Sequence, residues 1–432
     1  MKTHNENYFI QLLTKEIVPA LGCTEPIAVA LAASKSSETL GGLIDNIEVY
    51  VSNNILKNGM GVGIPGTGMV GLNIAAALGC IGGNSKAGLE VLKNINKEDI
   101  YKSKQLLKEN KVTVLPKKVP NKLYVEVTCN GINGKCTTII KDNHSNIVSV
   151  KLNNKLIVNN EIEDSKKEQQ CCCTEEIQHT NIDEIYDFVM NVDHNKISFL
   201  LDGAEMNKKI GVEGITNDYG LKVGKTIYSK MKSGLIGDDI QNYAMALTAG
   251  ASDARMAGCM LPVMSNSGSG NQGLTVMLPV VAVCEKLKVS KETQIRALAL
   301  ANLIAIHIKS YLGRLSALCG CVVSASGASA GIVYLLGGDL KKIKYAIKNM
   351  AGNIVGMICD GAKTGCALKV STGVSAAMQS ALLAMDNIEI SCQDGIINDN
   401  IEETIKNLAK IGSEGMKETD NLILDIMTSK KC

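Results

Sequence analysis

The run LYVEVTCNGINGKCTTII, Leu123 to Ile140, decides the fold class. Leu123–Cys129 and Cys136–Ile140 are rich in the β-branched side chains that suit a pleated surface. Between them stand Asn130-Gly131 and Asn133-Gly134, dipeptides that tight hairpins select because they tolerate positive φ. Two more β-type runs follow, Ile147–Leu152 and Leu156–Val158, separated by Asn- and Ser-rich breaks. Residues 112–159 therefore read as an antiparallel subdomain, with Ile47–Val51 as a further strand upstream.

Outward from this stretch the periodicity is helical. Residues 6–18 put Phe9, Leu12, Leu13 and Ile17 on one face, and Pro19 ends that helix. A second helix is expected from Pro26 to Leu40, and a glycine-rich stretch, 59–71, leads into an Ala-rich one. After a polar segment holding Cys171-Cys172-Cys173, nearly everything to Cys432 reads as helix rich in Ala, Gly, Ser and Met. The expected class is α+β: N-terminal helices packing on the catalytic domain (1–45), an α+β subdomain with antiparallel strands (46–159), a linker (160–180) and a dominant bundle-like helical domain (181–432).

Composition narrows the function. The net charge is +2, with three Phe and no Trp in 432 residues, which disfavours the basic, aromatic surfaces of nucleic-acid binders. No uninterrupted apolar run reaches the roughly 18 residues that span a bilayer, and the polar N-terminus lacks a signal-peptide core. A cytoplasmic protein without nucleic-acid or membrane partners is expected. Its fifteen cysteines then point away from a disulfide framework, toward metal ligation, catalysis or plain burial.

Several motifs carry chemistry. Gly61-Val62-Gly63-Ile64-Pro65-Gly66 matches a dinucleotide fingerprint in letters only. Pro65 lies inside the turn and the strand ends too early, so a close-approach loop beside a pocket is the better reading. Ser229 and Lys232 form an S-x-x-K that reads as solvated surface. In Gly22-Cys23-Thr24-Glu25-Pro26, Thr24 suits an N-cap, which sets Cys23 at the positive end of a helix where a thiolate is stabilised. Ser265–Gly273 (SNSGSGNQG) precedes an apolar helix and suits an anion nest. Asp253 and Arg255 either line a pocket or pair with each other. Cys319-Gly320-Cys321 and the Cys359…Cys366 loop offer thiols, although their spacing is not that of zinc ribbons or bacterial ferredoxins. Cys129 and Cys136 share the 359–366 separation but span the hairpin, and read as structural.

PALGCTEP (19–26), GVGIPGTGM (61–69), ASDARMAG (251–258), SNSGSGNQG (265–273), LCGC (318–321) and MICDGAKTGCALKVST (357–372) together resemble the L-cysteine desulfidase family. That family is serine-dehydratase-like and related to the iron–sulfur L-serine dehydratase alpha chains. The likeness runs in order from residue 19 to about 385. It implies a 4Fe-4S enzyme, a lyase degrading L-cysteine with water to sulfide, ammonia and pyruvate. By position it implies Cys319, Cys359 and Cys366 as cluster ligands, with Cys321 in the same short motif as the alternative to Cys319. It implies Cys23 as the base, and the helical domain as the cluster's carrier. Ser265, Asn266 and Ser267 then become candidates for gripping the carboxylate of an amino-acid substrate. Cys432 reads as a reduced tail, with a cap on the open iron as the alternative.

The closest rival is the same fold acting on L-serine. A pyridoxal-phosphate lyase using Lys363 or Lys369, and a non-catalytic amino-acid sensor, are more distant. A homo-oligomer is left open.

Overall fold

The computed structural model describes residues 6–160, 177–313 and 316–430. Cys171–Cys173, most of the 160–180 segment and Cys432 lie outside the described residues.

The sheet grows from the hairpin that opened the sequence. Strands β2 (Ile44–Val51), β3 (Val112–Pro116), β4 (Tyr124–Gly131), β5 (Gly134–Lys141), β6 (Ile147–Leu152) and β7 (Lys155–Asn159) pair in the order β3-β2-β4-β5-β6-β7. All neighbours are antiparallel except β2 and β3. That parallel pair departs from the purely antiparallel expectation. The chain leaves β2 and returns in the same direction through α3 (Asn53–Gly59), α4 (Leu72–Gly82) and α5 (Lys97–Lys108), a crossover only parallel strands require. The β4–β5 turn falls on Ile132-Asn133, between the paired Gly131 and Gly134, so the two Asn-Gly signals overlap the turn without centring it. Asn153-Asn154 makes the β6–β7 turn with φ of 48° and 70°, the positive values of a type I′ hairpin.

The N-terminal 45 residues do not pack as one unit. Helix α1 (Glu6–Glu16) joins the helical body, where Phe9 stacks on Phe188 at 4.7 Å between ring centroids. Helix α2 (Thr24–Leu40) instead lies under the sheet, its Ile27 and Leu31 in one apolar core with Val49, Val125 and Val127. The reason is that α2 is apolar nearly all round and so must be covered on every side. Helix α4 covers it further: a Cβ at Gly79 would fall on the carbonyl oxygen of Ala30.

The helical body comprises α6 (Ile182–Asn191), α7 (Phe199–Thr216), α8 (Val223–Lys232), α9 (Ile240–Met256), α10 (Gly270–Leu287), α11 (Lys291–Leu312), α12 (Gly320–Leu335), α13 (Leu340–Ile354), α14 (Cys366–Met385), α15 (Ile401–Lys410) and α16 (Lys417–Ser429). Small residues set its spacing, as at Gly327 of α12, which lies against the backbone carbonyl of Ala301 in α11. Among the described residues, α11 alone is long and apolar enough to cross a membrane, and 83% of its most apolar window is buried inside the protein. It is a core helix here.

A short ladder ties the two ends of the future site together. Strand β1 (Pro19–Ala20) pairs with β8 (Val263–Met264), and the pairing continues through Ser265 N–H to Val18 O and Ser267 N–H to Glu16 O. The Cys23 turn and the Ser265–Gly273 loop are therefore neighbours, although about 240 residues separate them in sequence.

Candidate active site

One cavity of about 140 Å³ collects the thiols that the sequence singled out. Cys23, Cys319, Cys321, Cys359 and Cys366 all line it. Cys319 is the N-cap of α12, and Cys366 is the first residue of α14, so each stands at a positive helix end. Cys359 is brought beside Cys319 by a strand-like pairing: Cys319 N–H donates to Met357 O (2.9 Å) and Cys359 N–H to Ala317 O (2.6 Å), around a Leu318–Ile358 bridge.

The two cysteines of the 319–321 motif face different surroundings. Cys321 is buried on the first turn of α12. Its Sγ donates to Lys369 O at 3.2 Å and occupies the space that a side chain at Gly373 would need. Cys319, Cys359 and Cys366 keep part of their surface open. Burial pushes the Cys319 thiol up to about 12 and raises Cys366 as well. Among the described residues, no three His, Cys, Asp or Glu side chains converge on one point as a single metal ion demands. A polynuclear cluster asks for something else, since each thiolate binds a different iron. Three partly open thiols line this one cavity, two of them at helix N-termini, and soft sulfur donors suit iron–sulfur chemistry.

Cys23, not Thr24, is the N-cap of α2. Thr24 turns its hydroxyl to Glu25 and to Gly268 O, which links this turn to the 265–273 loop. The helix terminus does not lower the thiol as the sequence led us to expect. Burial pushes Cys23 up to about 12, with Arg255 the main opposing influence. Arg255 is itself buried, donating to Gly22 O at 2.9 Å and to Asn271 Oδ1 at 3.1 Å. It lines the cavity, whereas Asp253 does not. Asp253 accepts from Gly224 N–H and holds the start of α8, and burial raises it to about 6. Beneath Cys23 runs the 61–71 loop, whose Gly63 lies so close to Ala257 that a Cβ would meet its carbonyl carbon.

Of the three loop residues expected at the substrate, only Ser267 reaches the cavity. Ser265 donates to Val18 O and Asn266 to Asn302 Oδ1, both fully buried and engaged in holding the loop. Ser267 has φ of 50°, and its hydroxyl bonds Asn266 Oδ1. The sequence missed Gln272, Thr275, Asn58, His144 and Lys309, which also line the cavity. No local pattern marks Thr275, Asn58, His144 or Lys309, and Gln272 is not distinguished from its neighbours in the 265–273 loop. Gln272 and Thr275 read as an ordinary helix face, and His144 arrives from the β5–β6 loop of the other subdomain. Cys129 and Cys136 stand opposite each other across β4 and β5, fully buried and far from this chemistry. Ser229 and Lys232 lie on α8, where Lys232 forms an ion pair with Asp238.

The lysines near Cys359 are tied down. Lys363 and Lys369 both pair with Asp360, and against the upward push of burial they hold that carboxyl at about 2. Burial pulls the Lys369 ammonium down, but Asp360 outweighs it and keeps it above its ordinary value. A Schiff-base lysine needs the opposite, a readily neutral amine.

Residues 86–425, most of the chain, match the profile of the family described as serine dehydratase alpha chain. The protein belongs to that family. Relatives of the chain extend over nearly its whole length. A UPF0597 protein of Oleidesulfovibrio alaskensis is 49% identical over 98% of both chains. Another from Parabacteroides distasonis is 47% identical over 100% of both. The cavity lies at the junction of α2, α10, α12 and α14.

Proposed function

We propose that the protein is an L-cysteine desulfidase-type lyase, converting L-cysteine and water to sulfide, ammonia and pyruvate by α,β-elimination. The observation that carries this is the meeting of Cys23, Cys319, Cys359 and Cys366 in one cavity, from three separate parts of the chain. Cys319, Cys359 and Cys366 would hold a 4Fe-4S cluster, with Cys321 packed as a helix residue. When bound, such a cluster with an open iron supplies Lewis acidity toward the substrate's carboxylate and leaving sulfur.

The chain's own residues do the rest. Cys23, once its thiol proton has been given up, is the base that takes the Cα proton; burial works against that thiolate and the Arg255 cation beside it works for it. The first turn of α10 presents backbone N–H groups without intrahelical partners, and with Arg255 it forms a basic corner for a carboxylate. Ser269 caps that helix and Ser267 shapes the loop, so both orient the corner. Burial of the site keeps water away from the proton transfer. An oxygen-poor, reducing cytoplasm suits an enzyme of this kind, and a small amino acid is the partner we assign.

A second reading is favoured by the family's description as serine dehydratase alpha chain: the same site and cluster acting as an L-serine dehydratase, eliminating water where the first eliminates sulfide. Hydroxide leaves less readily than hydrosulfide, so the two reactions place different demands on the same site. Anaerobic turnover of L-cysteine and L-serine, followed as pyruvate and sulfide, separates them. Preference for cysteine supports the desulfidase reading, preference for serine replaces it, and turnover of neither by cluster-loaded protein refutes both.

A further inference from the structure

Two oxygen atoms in the wall of this cavity lack a hydrogen-bond partner, Gln272 Oε1 and Thr275 Oγ1. Both side chains are deeply buried, at 4% and 0% exposure. They stand three residues apart on α10, hence on one helix face, and both line the cavity with Cys23 and Cys319. Leaving a buried polar atom unpaired costs free energy, and folded proteins seldom tolerate it without a reason.

Thr275 had an easy local remedy. A threonine in a helix ordinarily turns its hydroxyl back to the carbonyl four residues earlier. Thr248 does so to Ala244 O at 2.7 Å, and Thr216 to Val212 O at 2.7 Å. No such bond is made by Thr275. Gln272 lies over Gly320, where an added Cβ would come within 2.9 Å of its Cδ and 3.3 Å of its Oε1. The amide oxygen is thereby seated beside the Cys319 end of α12.

The chemistry of the two atoms names what they await. The Gln272 amide oxygen only accepts, so the group it faces is a donor, and the Thr275 hydroxyl on the same helix face can accept from that group too. Of the groups on a β-substituted amino acid, the α-ammonium offers three strong donors, the carboxylate none, and a thiol one weak donor. Glu25, in the same cavity, supplies negative charge that offsets the positive end of α10.

We propose that Gln272 Oε1 and Thr275 Oγ1 form the receptor for the substrate's α-ammonium group, on the same helix α10 whose free N-terminal N–H groups, with Arg255, take the carboxylate. The proposal rests on the amino-acid reading above and assigns the orientation of the substrate within it. Holding the ammonium here fixes which face of Cα meets Cys23, so these are positioning residues for proton removal.

The test uses two non-reacting probes on the anaerobic, cluster-loaded protein. L-alanine keeps the ammonium and carboxylate of cysteine, whereas 3-mercaptopropionate keeps the carboxylate and thiol but has no ammonium. Binding is measured by calorimetry, so no turnover is needed. Gln272→Leu and Thr275→Val should each weaken L-alanine by about tenfold or more, as loss of a hydrogen bond to a charged group does. They should leave 3-mercaptopropionate within about twofold, and Thr275→Ser should restore L-alanine binding. Because they remove unpaired buried oxygens, both substitutions should also leave the ligand-free protein as stable as before or more so, which melting measures. Equal weakening of both probes, or no change for L-alanine, overturns the assignment. A fall in melting temperature in both variants overturns it too, by showing a structural role. Wild-type protein that binds 3-mercaptopropionate but neither L-alanine nor L-cysteine would sink the amino-acid reading itself, and this assignment with it.

Discussion

Asp420→Asn strands a buried ammonium. Lys57, on α3, is 2% exposed and pairs with Asp420 of α16, which is 22% exposed; its Nζ also donates to Cys359 O at 3.3 Å. One lysine thus joins the sheet subdomain, the C-terminal helix and the loop that carries Cys359. Removing one partner of a buried pair costs about 3–5 kcal/mol, because the remaining charge stays out of water. The Cys359 carbonyl still accepts from Lys57, and Asp420 is partly solvated, so the lower end, about 3 kcal/mol, applies here. Unfolding entropy of about 2.1 cal/mol/K per residue over 432 residues is about 0.9 kcal/mol/K, which turns that loss into a drop of about 3 °C in Tm. The paired replacement Lys57→Met with Asp420→Leu removes both charges and should recover most of the loss, since an apolar substitute for a buried ion pair is often neutral. Urea unfolding followed by far-UV circular dichroism, with Tm from the same signal, measures all three proteins. Lys93→Ala, which breaks the exposed pair with Glu90, serves as the reference for a surface ion pair. If Asp420→Asn loses no more than that reference, or the double replacement is as unstable as the single one, the buried-latch reasoning fails.

Three other outcomes follow from the same structure. The carboxyl of Asp253 is raised by burial to about 6 when folded and is near 3.9 when unfolded, so its protonation supports the fold at acid pH and that support is lost as pH rises through about 6. Asp253→Asn, which can still accept from Gly224 N–H, should therefore be more stable relative to wild type at pH 7 than at pH 4; urea midpoints at the two pH values decide it. Gly327→Val forces a branched side chain onto the Ala301 carbonyl and should destabilise by about 3 kcal/mol or prevent folding, whereas Gly415→Ala, with open space around it and an ordinary φ, should unfold within a few degrees of wild type in a melting scan. Arg255→Lys keeps a charge but not the fork that reaches both Gly22 O and Asn271, and should lower kcat at least tenfold with the fold intact by circular dichroism.

The fold was legible where periodicity is local. Five of the sheet's strands and both N-terminal helices announced themselves through alternation, asparagine-glycine turns and Pro19. What escaped was what neighbours impose. Val112–Pro116 became a strand because β2 offered a parallel edge, and α2 packed under the sheet because no side of it was polar enough to face water. The candidate site shows the same division. Cys23, Cys319, Cys359 and Cys366 sit at helix ends or in glycine-containing turns, which sequence marks. Ser265 and Asn266 have the composition of a ligand loop, yet the β1–β8 ladder and Asn302 claim their side chains. Thr275 carries no motif and Gln272 is one letter of the 265–273 loop, and only the unpaired state of their oxygens in the folded cavity gives them away.

The most direct measurement is iron and acid-labile sulfide in anaerobically purified protein, made in parallel on Cys319→Ser, Cys321→Ser, Cys359→Ser and Cys366→Ser. Wild type should hold about four irons and four sulfides per chain, as the cluster type requires. The same content is expected in Cys321→Ser, and a marked loss in each of the other three. Iron and sulfide absent from folded wild-type protein, or lost with Cys321 and retained without Cys319, would contradict the cluster assignment.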